Sequence, residues 1–390
     1  MTKVGFVALD QNQNWLGGRY YLQNLIKCNS TIDSEEKINI CDVWWENIPE
    51  SDPFIEVRQL LGSSIIVKFP NNLIERIKRR INRILHKHST ASDLFKKHDI
   101  DLFFPIQPCE NTGIPYVFWL PDFQHIRRPD LLTPDLIEYF NTNYSRNVKE
   151  ASQVILSSED AKNDFVQVYP DYIEKAHVVH FCSIPDSSWW ELDPLETSQK
   201  HQLPERFFIV CNQFTRHKNY LTLFKSLSYL RELGQKDICI VCTGGTYDYR
   251  GENYFEKLKV YIAEHHLEGQ VRILGLLPKA EQVALMRRSI AILQPSQFEG
   301  WSTVIEDAKT LGKLVLASNL EVNCEQLGVS HPFYLEPENF RQWAIVMQQI
   351  WSNTPPGPNL LQEKAGLEYL NLAAKDCGLK FAEVVNEALR

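Results

Sequence analysis

The chain has 390 residues, of which 44% are hydrophobic and 23% are charged, and these are values of a globular protein with room for two domains. Disorder and low complexity are therefore not expected. The formal net charge of −8 argues against a general nucleic-acid binder, which would normally be basic.

The first predicted element is a buried strand at Val4–Leu9. This apolar run is too short for a signal peptide, and no small-residue cleavage site follows it. No stretch of the sequence approaches the roughly 20 apolar residues that cross a bilayer. Nine cysteines in a chain without an export signal are expected to be reduced thiols, which predicts a cytoplasmic protein.

Short apolar runs continue along the first half of the chain and alternate with longer segments. The further predicted strands of this half are Ile38–Val43, Leu102–Phe104, Tyr116–Trp119, Gln153–Leu156 and His177–His180. The charged segment 187–204, which contains Pro194 and Pro204, is the predicted linker to the second half.

The second half shows the same alternation more regularly. Its predicted strands are Phe207–Cys211, Ile238–Cys242, Val271–Leu274, Ala291–Leu293 and Leu314–Ala317. Its predicted helices are Asn219–Leu233, Tyr254–His266, Lys279–Arg288 and Thr303–Leu311. Cys239 and Cys242 lie three positions apart in a strand, so they should face opposite sides of the sheet as core residues rather than hold a metal.

Strands that alternate with helices predict βαβ units, so we predict an α/β fold with two Rossmann-like parallel-sheet domains facing across a cleft. The domains are predicted at 1–186 and 205–362, on either side of the linker. A helical segment at 363–390 is predicted to follow and can pack back on the first domain. Ligands of such sheets bind beyond the carboxyl ends of the strands, so functional residues should follow strands.

One candidate site follows the strand at Ala291–Leu293. Glu299 lies at the junction of strand and loop, and Gly300 lets the backbone approach a ligand closely. A helix begins near Ser302, and the free N–H groups of its first turn suit a phosphate. Asp307 lies eight positions after Glu299. The alternative interpretation is an ordinary helix N-terminus with acids in its first turns, which the helix dipole favours.

The segment Glu299–Ala308 resembles glycosyltransferase family 4, a group of retaining enzymes with the GT-B fold, which carries two acids separated by seven residues. The resemblance implies that Glu299 contacts the donor sugar and Asp307 the nucleotide ribose. The family's second acid is usually Glu, so Asp307 departs from the pattern, and which of Glu306 and Asp307 contacts the ribose stays open. The resemblance also implies that four further residues of this segment bind the donor: Gly300, Trp301, Ser302 and Thr303.

A loop with two cations follows the strand at Phe207–Cys211. Lys218 and Arg216 lie there, where positive charge can neutralise a diphosphate leaving group. The resemblance implies that Lys218 is the family's loop lysine, whereas the usual arginine position falls near the uncharged Gln213. Arg216 is the candidate substitute for that arginine. The alternative is a solvated loop with ordinary charges.

Two glycine-containing loops resemble further segments of the family. Gly244 follows the strand at Ile238–Cys242 and resembles a loop near the nucleotide, although two adjacent glycines also form common turns. Gly17 and Gly18 follow the first strand and resemble a loop that approaches the donor phosphates and the acceptor. A simple turn from strand to helix is the alternative for this second pair.

The loop after the strand at Tyr116–Trp119 contains Asp122 and His125. The resemblance implies that one of them contacts the sugar or the acceptor, and we include both with Glu299 and Lys218 in the predicted catalytic set. A lone histidine is more often an ordinary surface or core residue, which is the alternative here.

Together, these patterns predict a metal-independent, retaining glycosyltransferase for polysaccharide or glycolipid assembly. It would move a hexose or deoxyhexose from a nucleoside diphosphate sugar to a glycan or glycolipid hydroxyl, without a cofactor. Stabilisation of the diphosphate by lysine and by the helix dipole would make a divalent ion unnecessary. The alternatives are a sugar-nucleotide epimerase or a phosphorylase of the same fold, and a non-catalytic nucleotide-sugar-binding protein.

The segment 71–88 is basic in an otherwise acidic chain, and its apolar residues recur at helical spacing. This pattern is typical of a helix on an anionic membrane surface, so it predicts a peripheral contact with the inner face of the membrane. The alternative is an amphipathic helix that packs on the first domain and exposes a solvated basic face.

Overall fold

The structure is a computed structural model, and it describes residues 2–8, 16–45, 48, 52–67, 95, 97–108, 112–248 and 253–390. The basic segment 71–88, for which we predicted a membrane-facing or packed helix, lies outside the described residues. No helix in these ranges has both the length and the apolar character needed to cross a membrane.

The described residues form alternating strands and helices. The strands are β1 Lys3–Val7, β2 Asn39–Trp45, β3 Ser64–Val67, β4 Leu102–Phe104, β5 Val117–Leu120, β6 Gln153–Leu156, β7 Ala176–Val178, β8 Phe208–Cys211, β9 Ile240–Thr243, β10 Val271–Gly275, β11 Ile292–Gln294, β12 Val315–Ser318 and β13 Tyr334–Leu335. The helices are α1 Leu16–Thr31, α2 Gln124–Arg127, α3 Pro134–Glu150, α4 Glu159–Val168, α5 Ser188–Glu191, α6 Pro194–Lys200, α7 Tyr220–Glu232, α8 Tyr254–Glu264, α9 Lys279–Arg288, α10 Thr303–Thr310, α11 Glu321–Leu327, α12 Phe340–Asn353 and α13 Leu360–Ala388. Every predicted strand has a counterpart whose ends differ by at most about two residues, which is the usual uncertainty of element boundaries.

The strands form parallel sheets, as predicted. In the first part of the chain, one sheet has the order β3-β2-β1-β4 and another has the order β5-β6-β7. An isolated parallel bridge between Phe103 and Tyr116 links the two sheets. The later strands form one sheet with the order β10-β9-β8-β11-β12-β13. The order places β8 beside β11, although β9 and β10 separate them along the chain.

The chain divides into two units, each discontinuous in sequence. The first contains residues 1–122, 138–184 and 372–390, and the second contains residues 123–137 and 185–371. This division differs from the predicted domain boundaries at three places, one of which is that residues 363–371 of the predicted C-terminal segment group with the second unit. The segment 123–137 groups with the second unit, and the predicted linker 187–204 forms α5 and α6 within that unit.

Local contacts explain why the predicted linker is folded. The side chain of Asp193 accepts hydrogen bonds from the backbone N–H groups of Leu195 and Glu196, and Pro194 occupies the first turn, so α6 is well capped. Trp189 of α5 is buried in a core cluster of the second unit. Charge and proline content predicted a linker here, but the same residues also start and cap a short helix.

The sheet of the second unit is covered by apolar side chains on both faces. Cys242 belongs to one core cluster with Val210, and Cys239 belongs to the other with Ile209. Both cysteines are buried, so their predicted placement on opposite faces of the core is confirmed. Parallel strands that are covered on both faces read as continuous apolar runs, which is why these strands were recognisable in the sequence.

The last part of α13 packs in the first unit. Phe381 is fully buried, and its ring centroid lies 5.9 Å from that of Phe6 and 5.2 Å from that of Phe104. Gly378 lies against α1, where an added Cβ atom would be 2.6 Å from the backbone oxygen of Cys28. The C-terminal turns therefore form part of the core of the first unit.

We expect Phe381→Ala to lower the free energy of unfolding of the first unit by about 3–5 kcal/mol, because it removes a buried ring between two strands and leaves a cavity. Leu372→Ala, on an exposed position of the same helix, should change it by less than about 0.5 kcal/mol. Denaturant unfolding with an intrinsic-fluorescence readout measures both changes. Equal effects of the two variants would show that the end of α13 is not a core element.

Candidate active site

The loops after β8 and β11 carry a lysine and a glutamate that form an ion pair. Nζ of Lys218 lies 2.7 Å from Oε1 and 2.8 Å from Oε2 of Glu299. The carboxylate is buried and the lysine side chain is mostly so. The two residues meet because β8 and β11 are neighbours in a parallel sheet, so their carboxyl ends open at the same edge.

Backbone and side-chain hydrogen bonds hold these two loops together. The N–H group of Gln297 donates to the carbonyl oxygen of His217 over 2.7 Å. Asn219 has a left-handed backbone with φ of 55°, and its side-chain amide donates to the carbonyl oxygens of Pro295 at 2.9 Å and Pro337 at 2.7 Å. Asparagine tolerates this conformation better than most residues, so Asn219 can end one loop and clamp the other.

A buried amide lies behind the ion pair. Gln294, the last residue of β11, donates from Nε2 to Oε1 of Glu299 at 2.7 Å and to the Ser302 hydroxyl at 3.1 Å. The side-chain amide of Asn212, the residue after β8, donates to Oε1 of Gln294 at 3.0 Å. Sequence reasoning missed both residues. The available signal was a polar residue at the end of an otherwise apolar strand.

The start of α10 is capped by a side chain, which reduces the number of backbone N–H groups that could bind the predicted phosphate. The Ser302 hydroxyl accepts from the N–H group of Ile305 at 3.3 Å, and the Ser302 N–H group donates to Oε1 of Gln326 at 3.1 Å. Ser302 therefore acts as the helix cap, and its N–H group is engaged by protein. The N–H groups of Thr303 and Val304 have no protein partner among the described residues, so they are the first-turn donors open to an anion.

The two neighbouring acids of α10 have different surroundings. Glu306 is buried, and its Oε1 accepts from Nε2 of Gln326 at 2.8 Å and pairs with Nζ of Lys309 at 2.9 Å. Asp307 is also buried, and its Oδ2 pairs with Nζ of Lys279. The other oxygen of Asp307, Oδ1, has no hydrogen-bond partner among the described residues. Asp307 therefore keeps an acceptor for a ligand hydroxyl.

Two residues of the predicted donor loop lie at the start of this helix. Gly300 and Trp301 are both partly buried, and they directly precede the cap residue. Nζ of Lys309 lies 5.9 Å from the centre of the Trp301 ring, so the indole contacts the same lysine that pairs with Glu306.

Arg216 is bound by another segment of the second unit. Its Nη1 donates to the backbone oxygen of Asp130 at 3.2 Å, and its Nη2 lies 3.7 Å from the Asp130 carboxylate. Arg128 makes two hydrogen bonds of 2.9 Å to that carboxylate, which lowers the pKa of Asp130, and donates to Gln297 at 3.2 Å. The predicted phosphate-binding arginine thus helps to attach the segment 123–137 beside the loop of Gln297.

Gly244 has a packing role that the sequence did not show. Its φ of 143° is unfavourable for any other residue, and an added Cβ atom would lie 1.9 Å from the backbone oxygen of Asn212. The N–H group of Phe214 donates to the oxygen of Gly245 at 2.9 Å. The loops after β8 and β9 therefore touch through their backbones.

The remaining predicted residues lie outside these loops. Gly17 and Gly18 are in the first turn of α1, so they are helical rather than part of a loop, and they belong to the first unit together with Asp122. His125 lies in α2, which groups with the second unit, and its ring stacks on Phe123 with centroids 6.1 Å apart. Burial lowers the pKa of His125 to about 4, so the ring is neutral at pH 7.

We expect Gly244→Ala to lower the free energy of unfolding of the second unit by about 2–4 kcal/mol, because the new methyl group meets the Asn212 carbonyl in a strained backbone. Gly245→Ala is the matched control, since a Cβ atom there would have no heavy atom within 4 Å. Differential scanning calorimetry measures both. A wild-type transition for Gly244→Ala would contradict the close approach of the two loops.

The buried His125 should make stability depend on pH. The unfolded chain takes up a proton near pH 6.5, whereas the folded protein does so only near pH 4, so the free energy of unfolding should fall as the pH decreases from about 6.5 to about 4. His125→Asn should reduce this slope, and replacement of the exposed His266 by Asn should not. Urea unfolding at a series of pH values measures the slope. An identical slope in wild type and His125→Asn would refute the assignment.

Part of the chain matches a family of known proteins. The sequence model of the family described as glycosyl transferases group 1 matches residues 194–360. A search of curated protein sequences found no match. The described residues also contain no group of three or more His, Cys, Asp or Glu side chains placed to hold a metal ion.

Several solved structures are similar over almost the whole chain. HepE from Anabaena, in complex with UDP and glucose, is 15% identical with a TM-score of 0.65, and the match covers 99% of this chain and 100% of HepE. A glycosyltransferase from Rickettsia africae is 16% identical with a TM-score of 0.67, covering 100% of this chain and 99% of the other. WaaG, a glycosyltransferase involved in lipopolysaccharide biosynthesis, is 14% identical with a TM-score of 0.61, covering 98% and 99%.

At such low identities these likenesses establish the fold, which is the GT-B fold that the sequence predicted. The family match supplies the activity class, and it covers most of the second unit, including the loops of Lys218 and Glu299. The chain therefore carries a group 1 glycosyltransferase domain within a GT-B fold, and the protein is a glycosyltransferase.

Proposed function

We propose that the protein transfers a hexose or deoxyhexose from a nucleoside diphosphate sugar to a hydroxyl group of a glycan or glycolipid, with retention of configuration and without a metal ion. The observation that carries this proposal is the ion pair of Lys218 and Glu299 at the carboxyl ends of β8 and β11. It places a cation and a carboxylate together where the donor of such a sheet binds.

The diphosphate is proposed to bind Lys218 and the first turn of α10. Lys218 supplies a positive charge in a mostly buried position, and the N–H groups of Thr303 and Val304 supply oriented donors. When the bond between sugar and phosphate breaks, negative charge develops on the leaving diphosphate, and these groups stabilise it. The protein's own charges can do this work, so we propose a metal-independent reaction.

The sugar is proposed to lie next to Glu299. Departure of the diphosphate leaves an oxocarbenium-like sugar with developing positive charge, which a nearby carboxylate stabilises. Because Lys218 pairs with Glu299, its positive charge would be shared between this carboxylate and the diphosphate. The lysine and the glutamate would then lie beside the two groups that separate when the bond breaks, the diphosphate and the sugar. Retention is proposed from the resemblance to glycosyltransferase family 4, with attack on the face that the diphosphate leaves and the diphosphate taking the proton.

The nucleotide is proposed to contact Asp307 through its ribose. Oδ1 of Asp307 is a buried acceptor without a protein partner, whereas the Oε1 of Glu306 is engaged by Gln326 and Lys309. This difference favours Asp307 for the ribose contact. HepE, a structural neighbour, is described in complexes with UDP and with UDP-glucose, which supports UDP as the nucleotide to test first.

The acceptor is proposed to be a glycan or a lipid-linked glycan. Gly17, Gly18 and Asp122 of the first unit, together with His125, remain the candidate contacts for the acceptor or the donor sugar. His125 is neutral at pH 7 because burial lowers its pKa to about 4, so it can donate or accept a hydrogen bond without adding charge. A peripheral membrane contact through 71–88 remains part of the proposal.

The donor site is tested by thermal stabilisation with UDP, GDP, ADP, dTDP and their common sugar conjugates. A nucleotide at a concentration 100 times its Kd should stabilise the wild-type protein by about 2.7 kcal/mol. Lys218→Ala should lose this stabilisation, because it removes the cation for the diphosphate. Lys225→Ala, which removes an exposed lysine of α7, is the control and should retain it.

Glu299→Gln distinguishes binding from turnover. It should keep most of the stabilisation by the nucleoside diphosphate and lower the rate of donor consumption by about 100-fold or more, because the amide lacks the charge that stabilises the sugar cation. Release of the free nucleotide measures the rate. Stabilisation without any donor consumption by wild type, with or without glycan acceptors, would favour a non-catalytic binding protein. Consumption that forms an isomeric sugar nucleotide without an acceptor would identify an epimerase.

A further inference from the structure

We propose that Gln294 is a positioning residue that holds the Glu299 carboxylate for its role in transfer, and that Asn212 sets the direction of the Gln294 amide. This inference rests on the proposed function and adds two residues to it. Neither side chain is expected to touch the donor, so each acts through Glu299.

The first part of the argument is the cost of burying this side chain. Gln294 is fully buried at the end of β11, where Ile292 and Leu293 before it are apolar core residues. An unpaired amide there would cost about 1–3 kcal/mol, and an aliphatic side chain would avoid the cost altogether. The amide therefore needs partners, and its shortest hydrogen bond, 2.7 Å, goes to Oε1 of Glu299.

The second part is the orientation of the amide. A glutamine side chain has a donor end and an acceptor end, and only the donor end attracts a carboxylate. The amide nitrogen of the buried Asn212 donates to Oε1 of Gln294 at 3.0 Å, which fixes the acceptor end. The Gln294 nitrogen must then point the other way, toward Glu299. Asn212 and Gln294 therefore form a chain of hydrogen bonds, here called the relay, in which each amide donates to the next group from the end of β8 to Glu299.

The third part is that the two oxygens of the Glu299 carboxylate have different partners. Oε1 of Glu299 accepts from both Lys218 and Gln294, whereas Oε2 accepts from Lys218 at 2.8 Å. When Lys218 turns toward the diphosphate, Gln294 still holds Oε1. The carboxylate then stays in place and presents Oε2 to the sugar. Without Gln294, it would be held by Lys218 alone and could follow the lysine.

The same amide also connects the carboxylate to the proposed phosphate site. Nε2 of Gln294 lies 3.1 Å from the hydroxyl of Ser302, the residue that caps α10. The Gln294 side chain thus contacts both Glu299 and the residue that caps α10. This arrangement keeps the carboxylate and the phosphate donors in fixed register, as an oriented site requires.

The test uses Gln294→Met, because methionine lacks the amide but has a side chain of similar size. It measures how much the sugar contributes to donor binding and to turnover in this variant. Calorimetric titration gives the Kd of the nucleoside diphosphate and of its sugar conjugate, and nucleotide release gives kcat and KM. We expect the diphosphate Kd to stay within about twofold of wild type. The affinity gained from the sugar should fall about tenfold, which should raise KM for the sugar conjugate by a similar factor, and kcat should fall about 10–100-fold.

Asn212→Leu tests the relay. It removes the donor that orients Gln294, so it should lower kcat in the same direction as Gln294→Met, and the double variant should be no worse than Gln294→Met alone. Gln270→Met is the matched control, because Gln270 is another buried glutamine of the second unit and donates to the backbone oxygen of Ile238 at 3.1 Å. It should leave both the sugar contribution and kcat unchanged.

Several outcomes overturn the proposal. Wild-type sugar affinity and kcat in Gln294→Met would show that the amide does not position Glu299. Equal losses in Gln294→Met and Gln270→Met, or a parallel loss of diphosphate binding, would assign Gln294 a structural role only. Failure of the proposed function is seen separately, because the wild-type protein would then bind no nucleotide from the panel, and the inference would fall with it.

Discussion

The ion pair between Lys218 and Glu299 is the contact on which the organisation of the second unit's site depends. The two residues are 81 positions apart, and they meet because β8 and β11 lie side by side in a parallel sheet. A buried carboxylate without a partner would be strongly destabilising, so the sheet order and the pair support each other. Any ligand that draws Lys218 away would leave the buried Glu299 carboxylate in need of another partner.

Around this pair, specific backbone geometry joins the loops, in addition to the apolar packing of residues such as Phe214. Asn219 adopts a left-handed conformation and clamps the loop of Pro295, while Gly244 permits the backbone of Asn212 to pass within contact distance. These positions tolerate few residues, because a β-carbon or a different side chain would separate the loops. These contacts therefore fix the positions of the two loops relative to each other.

The two acids of α10 are both buried, but their hydrogen-bond and ion-pair partners differ. The carboxylate oxygen Oε1 of Glu306 is engaged by Gln326 and Lys309. Asp307 pairs with Lys279 through one oxygen, and its other oxygen is buried without a hydrogen-bond partner among the described residues. The departure from the family's usual glutamate thus comes with a lysine that neutralises the shorter acid.

The parallel α/β fold, the strands other than β3 and β13, and the acid–glycine and lysine loops were predictable from the sequence alone. Buried parallel strands are continuous apolar runs, and ligand-binding loops of such sheets follow them. Only the tertiary structure decided that Lys218 binds Glu299, that Arg216 pairs with Asp130, and that Gln294 supports the carboxylate. The first two pairings join residues that are 81 and 86 positions apart, and tertiary packing brings them together without leaving any periodic signal in the sequence.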